Sequence, residues 1–283
     1  MCAPNPWLNT LMNALVDSVA PDVRAVSAWA SRLRQHEGPD AARLALRSLC
    51  ERHPANTALA ALYEWNDPLW WHSFHFGGIR LERRGPQHFD FVWSVVQNRE
   101  FARRLKQIPV ELTPAAVLDT LNQDAISILS ERHNIQWVVF RGEVPIGLSM
   151  FVNINFRNRT AEQIMGILPG FDVSFLVGDA YCASLLFAFN CLGLNKVQGL
   201  IYSNNESIAL QQERLGFRRE GLLRKAIWDE EHDQYKDLVQ IALLREEFVT
   251  NRVLQRHIRR QPHDPLLDTL RSVARPPLAP AQG

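Results

Sequence analysis

The sequence predicts an α/β protein: a mixed, mainly antiparallel central sheet flanked by helices, with an all-helical extension at the N-terminus. Three observations support this fold class. Segments such as "IQWVVFR" and "VPIGLSMFVNI" have the composition and alternation of strands and are joined by a tight turn. Segments with apolar residues at three- and four-residue spacing, typical of helices, lie between such strands. The first 75 residues show only the helical spacing.

The bulk composition is that of a globular protein with nearly balanced charge. The chain has 283 residues, enough for about two domains or one domain with an appendage. Hydrophobic residues make up 46% of it, which supports a sizeable core. The net charge is +1, from 31 basic and 30 acidic residues. General nucleic-acid and membrane-surface binders carry a clear basic excess, so we expect neither partner.

The cysteine pattern predicts a reduced, cytoplasmic protein. Two of the four cysteines, Cys182 and Cys191, lie nine residues apart and would occupy opposite faces of a helix; no C-x-x-C motif occurs. The N-terminus lacks a basic-then-apolar signal pattern. The stretch 175–194 is long enough to span a bilayer and has one charge, but glycine and polar residues interrupt it, which favours a buried helix.

Residues 1–76 are predicted to form a helical N-terminal extension. "DVRAVSAWASRLRQ" and "DAARLALRSLCERH" have helical spacing, and helical hairpins fit the Gly-Pro and Pro-Ala-Asn breaks that follow them. These helices could contact a protein partner. Five aromatic residues lie between Trp65 and Phe76, and they indicate either a plug between the two parts of the chain or an exposed recognition surface.

Residues 77–249 are predicted to form the α/β domain. In order, the elements are a strand ("GIRLERRG"), two helices, three strands ("IQWVVFR", "VPIGLSMFVNI", "TAEQIMGIL"), a long helix ending at Gly193, a strand ("KVQGLIYS"), a short helix and a final strand pair. The second helix opens with Thr113 and with Pro114 at its first position. Residues 250–283 are predicted to form one more helix, "NRVLQRHIRR", and a flexible tail.

Several phrases within this order resemble the Gcn5-related N-acetyltransferase superfamily, and its ribosomal-protein N-acetyltransferase-like subgroup most. They are "GLNKV" before a strand, "NNESIALQQERLGFRREGLLR" after it, the strand "VPIGLSMFVNI" and the terminal "YKDLVQIALLREEF". The resemblance covers about residues 77–248 and depends on the whole set of phrases, since none is specific alone.

The resemblance implies transfer of an acetyl group from acetyl-CoA to a primary amine. No metal is expected, because His72 and His75, three residues apart, have no further ligands at a metal-binding spacing. It implies that "TAEQIMGIL" and "KVQGLIYS" splay apart and that the pantetheine arm pairs with the first of them, at Gly166, Ile167 and Leu168. It also places the diphosphate on the free N–H groups where the long helix begins. A helix start favours phosphate in any case, because its N–H donors are unsatisfied and carry partial positive charge.

The phosphate loop departs from the pattern of that superfamily. The loop Q/R-x-x-G-x-G/A falls on Asp172 to Asp179, with Asp172 in place of the arginine or glutamine, and with Phe175 and Val177 in place of the glycines. Glycine lets the backbone approach a phosphate closely, and carboxylates repel it. Backbone donors remain, and the residues expected to contact the cofactor here are Ser174, Phe175, Val177 and Gly178.

Glu162 is the first candidate for the general base, because an amine with a pKa near 10 must lose a proton before it attacks a thioester. The resemblance places such a base on this strand, although an exposed strand glutamate is an equal alternative. Asp172 is the second candidate.

The tyrosine that protonates the leaving thiolate in many relatives is replaced here by Gln211 and Gln212. We expect Gln211 to hydrogen-bond the thiolate. Tyr181 and Tyr202 are substitutes that could equally be packing residues. Of Asn204 and Asn205, one is expected to contact the cofactor arm and the other to cap the next helix.

A basic group near the last strands has two interpretations, as a site for the 3′-phosphate or an acidic substrate, or as a solvated strand face. Its members are Arg218, Arg219, Arg224 and Lys225.

Three functions remain open at the level of sequence. The first is an N-acetyltransferase acting on a small amine, an amino sugar or a protein N-terminus. The second is an acyltransferase of the same fold that uses a longer acyl group. The apolar segment "SFLVG" is the observation that favours it. The third is a non-catalytic binding module, since fold alone does not settle chemistry.

Overall fold

The computed structural model describes residues 21–98, 101, 102, 105, 112–129, 133–171, 174–229 and 232–261. The predicted C-terminal tail and Asp172, the second candidate base, lie outside the described residues.

Between residues 21 and 65, three helices precede the sheet: α1 (Val23–Glu37), α2 (Pro39–Arg52) and α3 (Thr57–Trp65). Asn56 caps α3, because its side chain accepts a hydrogen bond from the Leu59 N–H. Each helix buries one apolar side, and those sides belong to the same core as one face of the sheet. The helical prediction for this part of the chain is confirmed over the described residues.

One eight-stranded sheet forms the centre of the molecule. Its strands are β1 (Phe74–Phe76), β2 (Ile79–Arg83), β3 (Ile135–Arg141), β4 (Val144–Asn155), β5 (Thr160–Ile167), β6 (Lys196–Tyr202), β7 (Arg218–Asp229) and β8 (Gln234–Leu244). Their order across the sheet is β1-β2-β3-β4-β5-β6-β8-β7. Six of these contacts are antiparallel and only β5 with β6 is parallel, which confirms the predicted mixed, mainly antiparallel sheet.

The remaining helices flank the sheet. They are α4 (Phe89–Gln97), α5 (Pro114–Ile126), α6 (Ser174–Leu186), α7 (Glu206–Arg214), α8 (Arg245–Thr250) and α9 (Arg252–Arg259). Thr113 caps α5 with Pro114 at its first position, as the sequence predicts, since its hydroxyl accepts a hydrogen bond from the Ala116 N–H.

The aromatic stretch is a plug in the core. Trp65, Trp70, Phe74 and Phe76 are all buried, and Phe74 stacks on Phe187 with ring centroids 6.2 Å apart. Part of this stretch also forms β1, an edge strand absent from the sequence prediction. The plug therefore joins the N-terminal helices to the sheet through aromatic packing.

The long helix continues past α6 as one π-helical turn, Phe187–Cys191, in which the Leu192 N–H donates to the carbonyl of Phe187 five residues earlier. It ends before Gly193, whose φ of +62° is left-handed, at the predicted place. In the described parts of the chain, none of the helices combines the length and apolar character that crossing a bilayer requires.

Candidate functional site

Strands β5 and β6 separate part-way along their length. They pair in parallel register from Thr160 with Lys196 to Glu162 with Gln198. Beyond that point β5 remains paired with β4, as far as Ile167 with Gly147, and β6 remains paired with β8. The facing edges of β5 and β6 are thus left without strand partners, as the resemblance implied.

The main-chain groups of β5 that face this gap follow from its pairing with β4. The Leu168 N–H donates to the Ile146 carbonyl at 2.8 Å. In an antiparallel strand, the main-chain N–H and C=O groups of alternate residues bond to the same neighbouring strand. The main-chain groups of Ile164 and Gly166 therefore also face β4, whereas those of Met165 and Ile167 face β6. The Leu168 N–H is therefore used within the sheet, and of the three residues predicted to pair with the cofactor arm, Gly166, Ile167 and Leu168, Ile167 is the one whose main-chain groups face the gap.

A cavity of about 520 Å³ occupies the gap between the strands. Its walls come from β5, β6, α6 and α7, with single contributions from residues on neighbouring elements. The lining residues are Phe101, Gln163, Ile164, Met165, Gly166, Ile167, Val177, Tyr181, Gln198, Gly199, Leu200, Ile201, Tyr202, Asn205, Ser207, Ile208, Gln211, Gln212, Phe217 and Ile241. None of these described residues carries a charge, although eight have polar side chains.

Two glutamines in this wall are deeply buried. Gln163 is 7% exposed and Gln212 is 3% exposed. Gln212 hydrogen-bonds Tyr181, whose pKa burial raises to about 12, with the hydrogen bond opposing part of that rise. Among the described residues, neither the two polar atoms of the Gln163 amide nor the Gln212 Oε1 has a hydrogen-bond partner.

The start of α6 differs from the sequence expectation. The segment expected to be a loop through Asp179 is helical from Ser174. Leu176, Ala180 and Ala183 are buried at four- and three-residue spacing, so burial of this stripe favours helix from the first turn. Phe175 lies 61% exposed outside the cavity lining, and a Cβ added to Gly178 would meet no atom within 4 Å. Of the predicted cofactor-binding residues here, only Val177 lines the cavity.

The Asp179 carboxylate is held by groups on two other elements. It accepts a hydrogen bond from the Gly78 N–H at 2.8 Å and lies 2.7 Å from His257 Nε2 of α9. A Cβ on Gly77, whose φ is +57°, would overlap this carboxylate. Asp179 is 5% exposed and therefore anchors α6 to the β1–β2 turn and to α9. Its hydrogen-bond partners also reduce the repulsion that its carboxylate was expected to exert on a phosphate.

Glu162 lies beside the cavity and not in its lining. It is 8% exposed, and Asn153 Nδ2 is 3.5 Å from its Oε2. Asn153 has a left-handed φ of +53° where the β4–β5 register shifts, and this irregularity brings its amide to the carboxylate. Since paired residues of neighbouring strands point to the same face, Glu162 is adjacent to Gln198, which does line the cavity.

The predicted residues of α7 meet the same cavity. Gln211 lines it, as do Tyr181 and Tyr202. Asn205 both lines it and caps α7, accepting from the Ile208 N–H at 3.4 Å, whereas Asn204 is exposed and absent from the lining. Asn205 alone thus both lies at the cavity and caps the helix, whereas the sequence analysis divided these two positions between Asn204 and Asn205.

The basic group is exposed along β7. Arg218 pairs with Glu247 at 2.8 Å, and Arg219 pairs with Glu206 and Glu213. Hydrogen bonds to those two carboxylates raise the pKa of Arg219. These pairings favour the solvated-face interpretation for both arginines.

Gln163, Gln198 and Ser207 are polar cavity residues that the sequence analysis did not name, and Gln212 was named there only beside Gln211. The sequence did contain a signal for Gln163, because Glu162 and Gln163 are consecutive polar residues within β5. Adjacent residues of a strand point to opposite faces, so one of them had to point toward a buried side of the sheet. Among the described residues, no three His, Cys, Asp or Glu side chains converge in a manner suited to a metal ion.

Solved structures share this overall fold. A spermidine N-acetyltransferase from Vibrio cholerae, crystallised in complex with CoA and spermine, superposes with a TM-score of 0.55. It is 18% identical and the match covers 61% of this chain and 99% of that one. The chain has the fold of the Gcn5-related N-acetyltransferases. A second crystal structure, described only as that of a "probable acetyltransferase", gives a TM-score of 0.56 at 20% identity over 62% of this chain and 98% of that one.

A curated protein also resembles this chain in sequence. YoaA of Bacillus subtilis, described as an uncharacterised N-acetyltransferase, is 22% identical over 144 residues, which is 50% of this chain and 80% of that protein. No protein-family profile matches the sequence. The N-acetyltransferase fold is therefore established by structure at low sequence identity.

Proposed function

We propose that the protein is an N-acetyltransferase that transfers an acetyl group from acetyl-CoA to a primary amine of a small molecule, an amino sugar or a protein N-terminus. One observation carries the proposal: β5 and β6 separate beyond Glu162 and Gln198, and the gap contains a cavity of about 520 Å³. The names of the solved structures and of YoaA support the same activity.

The residues around the gap fit the chemistry of coenzyme A. Its pantetheine arm is an extended chain with two amides, and the main-chain groups of Met165 and Ile167 face the gap as an unpaired strand edge. The first turn of α6 lies beside the cavity, since Val177 lines its wall. The backbone N–H groups of a helix start would hold a diphosphate, and the absence of glycine at Phe175 is tolerated because that side chain lies exposed.

In the proposed reaction, the amine nitrogen attacks the thioester carbonyl carbon, a C–N bond forms and the C–S bond breaks. The acceptor, an ammonium at neutral pH, loses one proton before the attack and a second as the amide forms, while the leaving thiolate gains one, so one proton is released overall. We assign the amine proton to Glu162, through a water beside Gln198, because Glu162 is the carboxylate paired next to the cavity wall. Gln211 would hydrogen-bond the leaving sulfur from α7.

Tyr181 suits hydrogen bonding better than proton transfer. With a pKa of about 12, its hydroxyl stays protonated at neutral pH, but it is a weaker acid than a thiol of pKa about 8.5. Transfer of its proton to a thiolate would therefore be uphill. Donation of a hydrogen bond to the sulfur or to the carbonyl oxygen has no such cost.

The subgroup and the acceptor remain part of the proposal. The phrases around Asn204–Arg224 favour a ribosomal-protein N-acetyltransferase-like enzyme, and hence an amine on a peptide, while the structural neighbours named above include a polyamine enzyme. The apolar part of the cavity wall, with Phe101, Phe217 and Ile241, keeps a longer acyl donor as the second candidate.

The test is release of free thiol from acetyl-CoA with a panel of amines, peptides and amino sugars, together with thermal unfolding in the presence of acetyl-, butyryl- and octanoyl-CoA. A ligand at 100 times its Kd adds about 2.7 kcal/mol of stability. Amine-dependent thiol release supports the proposal. A larger thermal shift with octanoyl-CoA supports the second candidate, and no shift with any of the three at millimolar concentration contradicts both.

A further inference from the structure

Strand β7 lies at the edge of the sheet and is exposed along almost its whole length. Ten of its twelve residues are exposed and the other two are half-buried. Among the described strands, β8 is its only neighbour. An exposed edge strand is a template for pairing with another chain, and folded proteins usually shorten or cover such an edge. The exposure of β7 is therefore the first sign of an interaction surface.

The outer parts of β7 and β8 project beyond the rest of the sheet. Pairing of β8 with β6 ends where Leu238 meets Tyr202, the last residue of β6, so residues 234–237 lie beyond it. There β7 and β8 form a two-stranded ribbon, and we call residues 222–229 and 234–239 the arm. A two-stranded hairpin alone is only marginally stable in water. Contact with a further surface would stabilise the arm.

Apolar side chains are exposed on one face of the arm. Trp228 and Tyr235 form an edge-to-face pair with ring centroids 4.9 Å apart, and they are 45% and 58% exposed. Leu222, also exposed, pairs with Val239, which lies four residues from Tyr235 on β8. Since alternate residues of a strand share a face, Leu222 lies on the same face as the aromatic pair. Tryptophan and tyrosine are enriched in protein interfaces, so an exposed cluster of this kind is typical of a binding surface.

The charged side chains of the hairpin indicate what covers the arm. Arg224 and Lys225 form no ion pair with any described residue, and neither does Asp233 in the turn before β8. The two basic residues precede Trp228 by four and three positions, and Asp233 follows it by five. In sequence, residues 229–233 read DEEHD, which is acidic. Free basic and free acidic charges thus lie on opposite sides of the aromatic pair along the hairpin.

A second copy of the chain matches this arrangement. Two arms related by a two-fold axis at Trp228 run antiparallel, so the basic side of each meets the acidic side of the other. A partner of a single charge sign would leave one of the two charged groups against a like charge. A second copy neutralises both groups and covers the aromatic pair of each arm.

We propose that the arm is the interface of a homodimer, with the aromatic pairs of two copies packed at the two-fold axis and their free basic and acidic side chains facing each other. The contact is a property of the surface and not of the cavity, so it goes beyond the proposed function and does not depend on it. Burial of the apolar face supplies the driving force, while the charges fix the antiparallel orientation.

The first test is the molecular mass in solution, measured by sedimentation equilibrium over the micromolar range. We expect the mass of two chains of 32.4 kDa each. Trp228→Glu places two carboxylates side by side at the axis and should weaken association by about tenfold or more, while the protein stays folded by circular dichroism because this side chain is exposed. Val253→Glu, a similar change of an exposed apolar residue on α9, is the control and should remain dimeric. A wild type that is monomeric at high micromolar concentration, or a Trp228→Glu variant as dimeric as the wild type, overturns the proposal.

Charge reversal tests the orientation of the two arms. One protein carries Arg224→Glu with Lys225→Glu, and a second carries Asp233→Lys. Each should associate with itself about tenfold more weakly than the wild type, because like charges then meet at both contacts. A mixture of the two should form a heterodimer, since each contact then joins opposite charges. Absence of the heterodimer from a mixture of the two folded variants contradicts the proposed orientation and overturns the proposal.

Two further variants control the charge reversal. Arg252→Glu with Arg256→Glu on α9 changes the net charge as much as the first protein does and should remain dimeric. Asp233 has a left-handed φ of +47°, which asparagine adopts more readily than lysine, so Asp233→Asn removes the charge and preserves the turn. It should weaken the dimer less than Asp233→Lys and reduce its sensitivity to salt. A dissociation constant and a salt dependence equal to those of the wild type would contradict the charge contact.

None of these measurements uses coenzyme or amine. Failure of the wild type to bind acetyl-CoA would contradict the proposed function and leave the homodimer intact. A monomeric wild type that releases thiol from acetyl-CoA would overturn the homodimer and leave the proposed function intact.

Discussion

Glu162 and Gln198 form the last pair of the only parallel ladder in the described sheet, and β5 and β6 separate immediately beyond them. The pair therefore marks the closed end of the gap that contains the cavity. It also brings the one carboxylate proposed as a base next to the uncharged wall.

Met165→Pro tests the unpaired edge of β5. The Met165 N–H faces the gap and the preceding residue is already extended, so a proline there removes no bond to β4. We expect near-wild-type stability and at least tenfold weaker acetyl-CoA binding by calorimetry. Ile164→Pro is the control, because its N–H faces β4 and its loss should lower the free energy of unfolding by about 3 kcal/mol. Equal stability of the two variants would refute the assigned orientation.

Glu162→Gln tests the general base. If Glu162 receives the amine proton, the variant should lower kcat by about 10²-fold or more with little change in the KM for acetyl-CoA. Initial rates of thiol release measure this, and Glu37→Gln, an exposed substitution at the end of α1, is the control. An unaltered kcat would remove Glu162 from this role.

Tyr181→Phe tests the buried phenol through alkaline stability. The pKa of Tyr181 is about 12 in the folded protein and about 10 when unfolded, so between pH 10 and 12 only the folded state retains the proton. Stability therefore falls with rising pH in this window, by about 2–3 kcal/mol in total from this group. Tyr181→Phe should show a shallower decline in denaturant unfolding. If the free energy of unfolding fell equally with pH in the wild type and in Tyr181→Phe, Tyr181 would ionise as easily as an exposed tyrosine.

Much of the fold could be predicted from the sequence, because local patterns determine it. The order of strands and helices from Gly77 onward, the cap at Thr113 and the end of the long helix at Gly193 all follow from neighbouring residues. The start of α6 was misplaced, since the loop was positioned by a family pattern whereas burial of Leu176 and Ala180 extends the helix to Ser174.

The site was predicted in part. The gap in the sheet and the contributions of Gly166, Gln211 and Asn205 to its wall were anticipated, while the partners of Asp179 were not. Asp179 and His257 are 78 residues apart, and no local pattern connects them. The same limit applies to the contact between Tyr181 and Gln212, which lie on different helices.

The Asp179 anchor gives a further prediction. Asp179→Ala removes the acceptor for both Gly78 and His257, and should lower the free energy of unfolding by about 2–4 kcal/mol. Together with His257→Ala, a double-mutant cycle should give a coupling of about 1 kcal/mol or more. We expect the Kd for acetyl-CoA to change less than threefold if the variant is folded. Tighter binding by a large factor would mean that the carboxylate repels the diphosphate after all.

The most direct test of the central claim is a crystal structure of the wild-type protein soaked with acetyl-CoA. The account predicts an extended arm between β5 and β6, hydrogen-bonded to the main chain of Met165 and Ile167, with the diphosphate at the first turn of α6. A gap that contains no density at millimolar acetyl-CoA, or a cofactor bound elsewhere on the sheet, would contradict it.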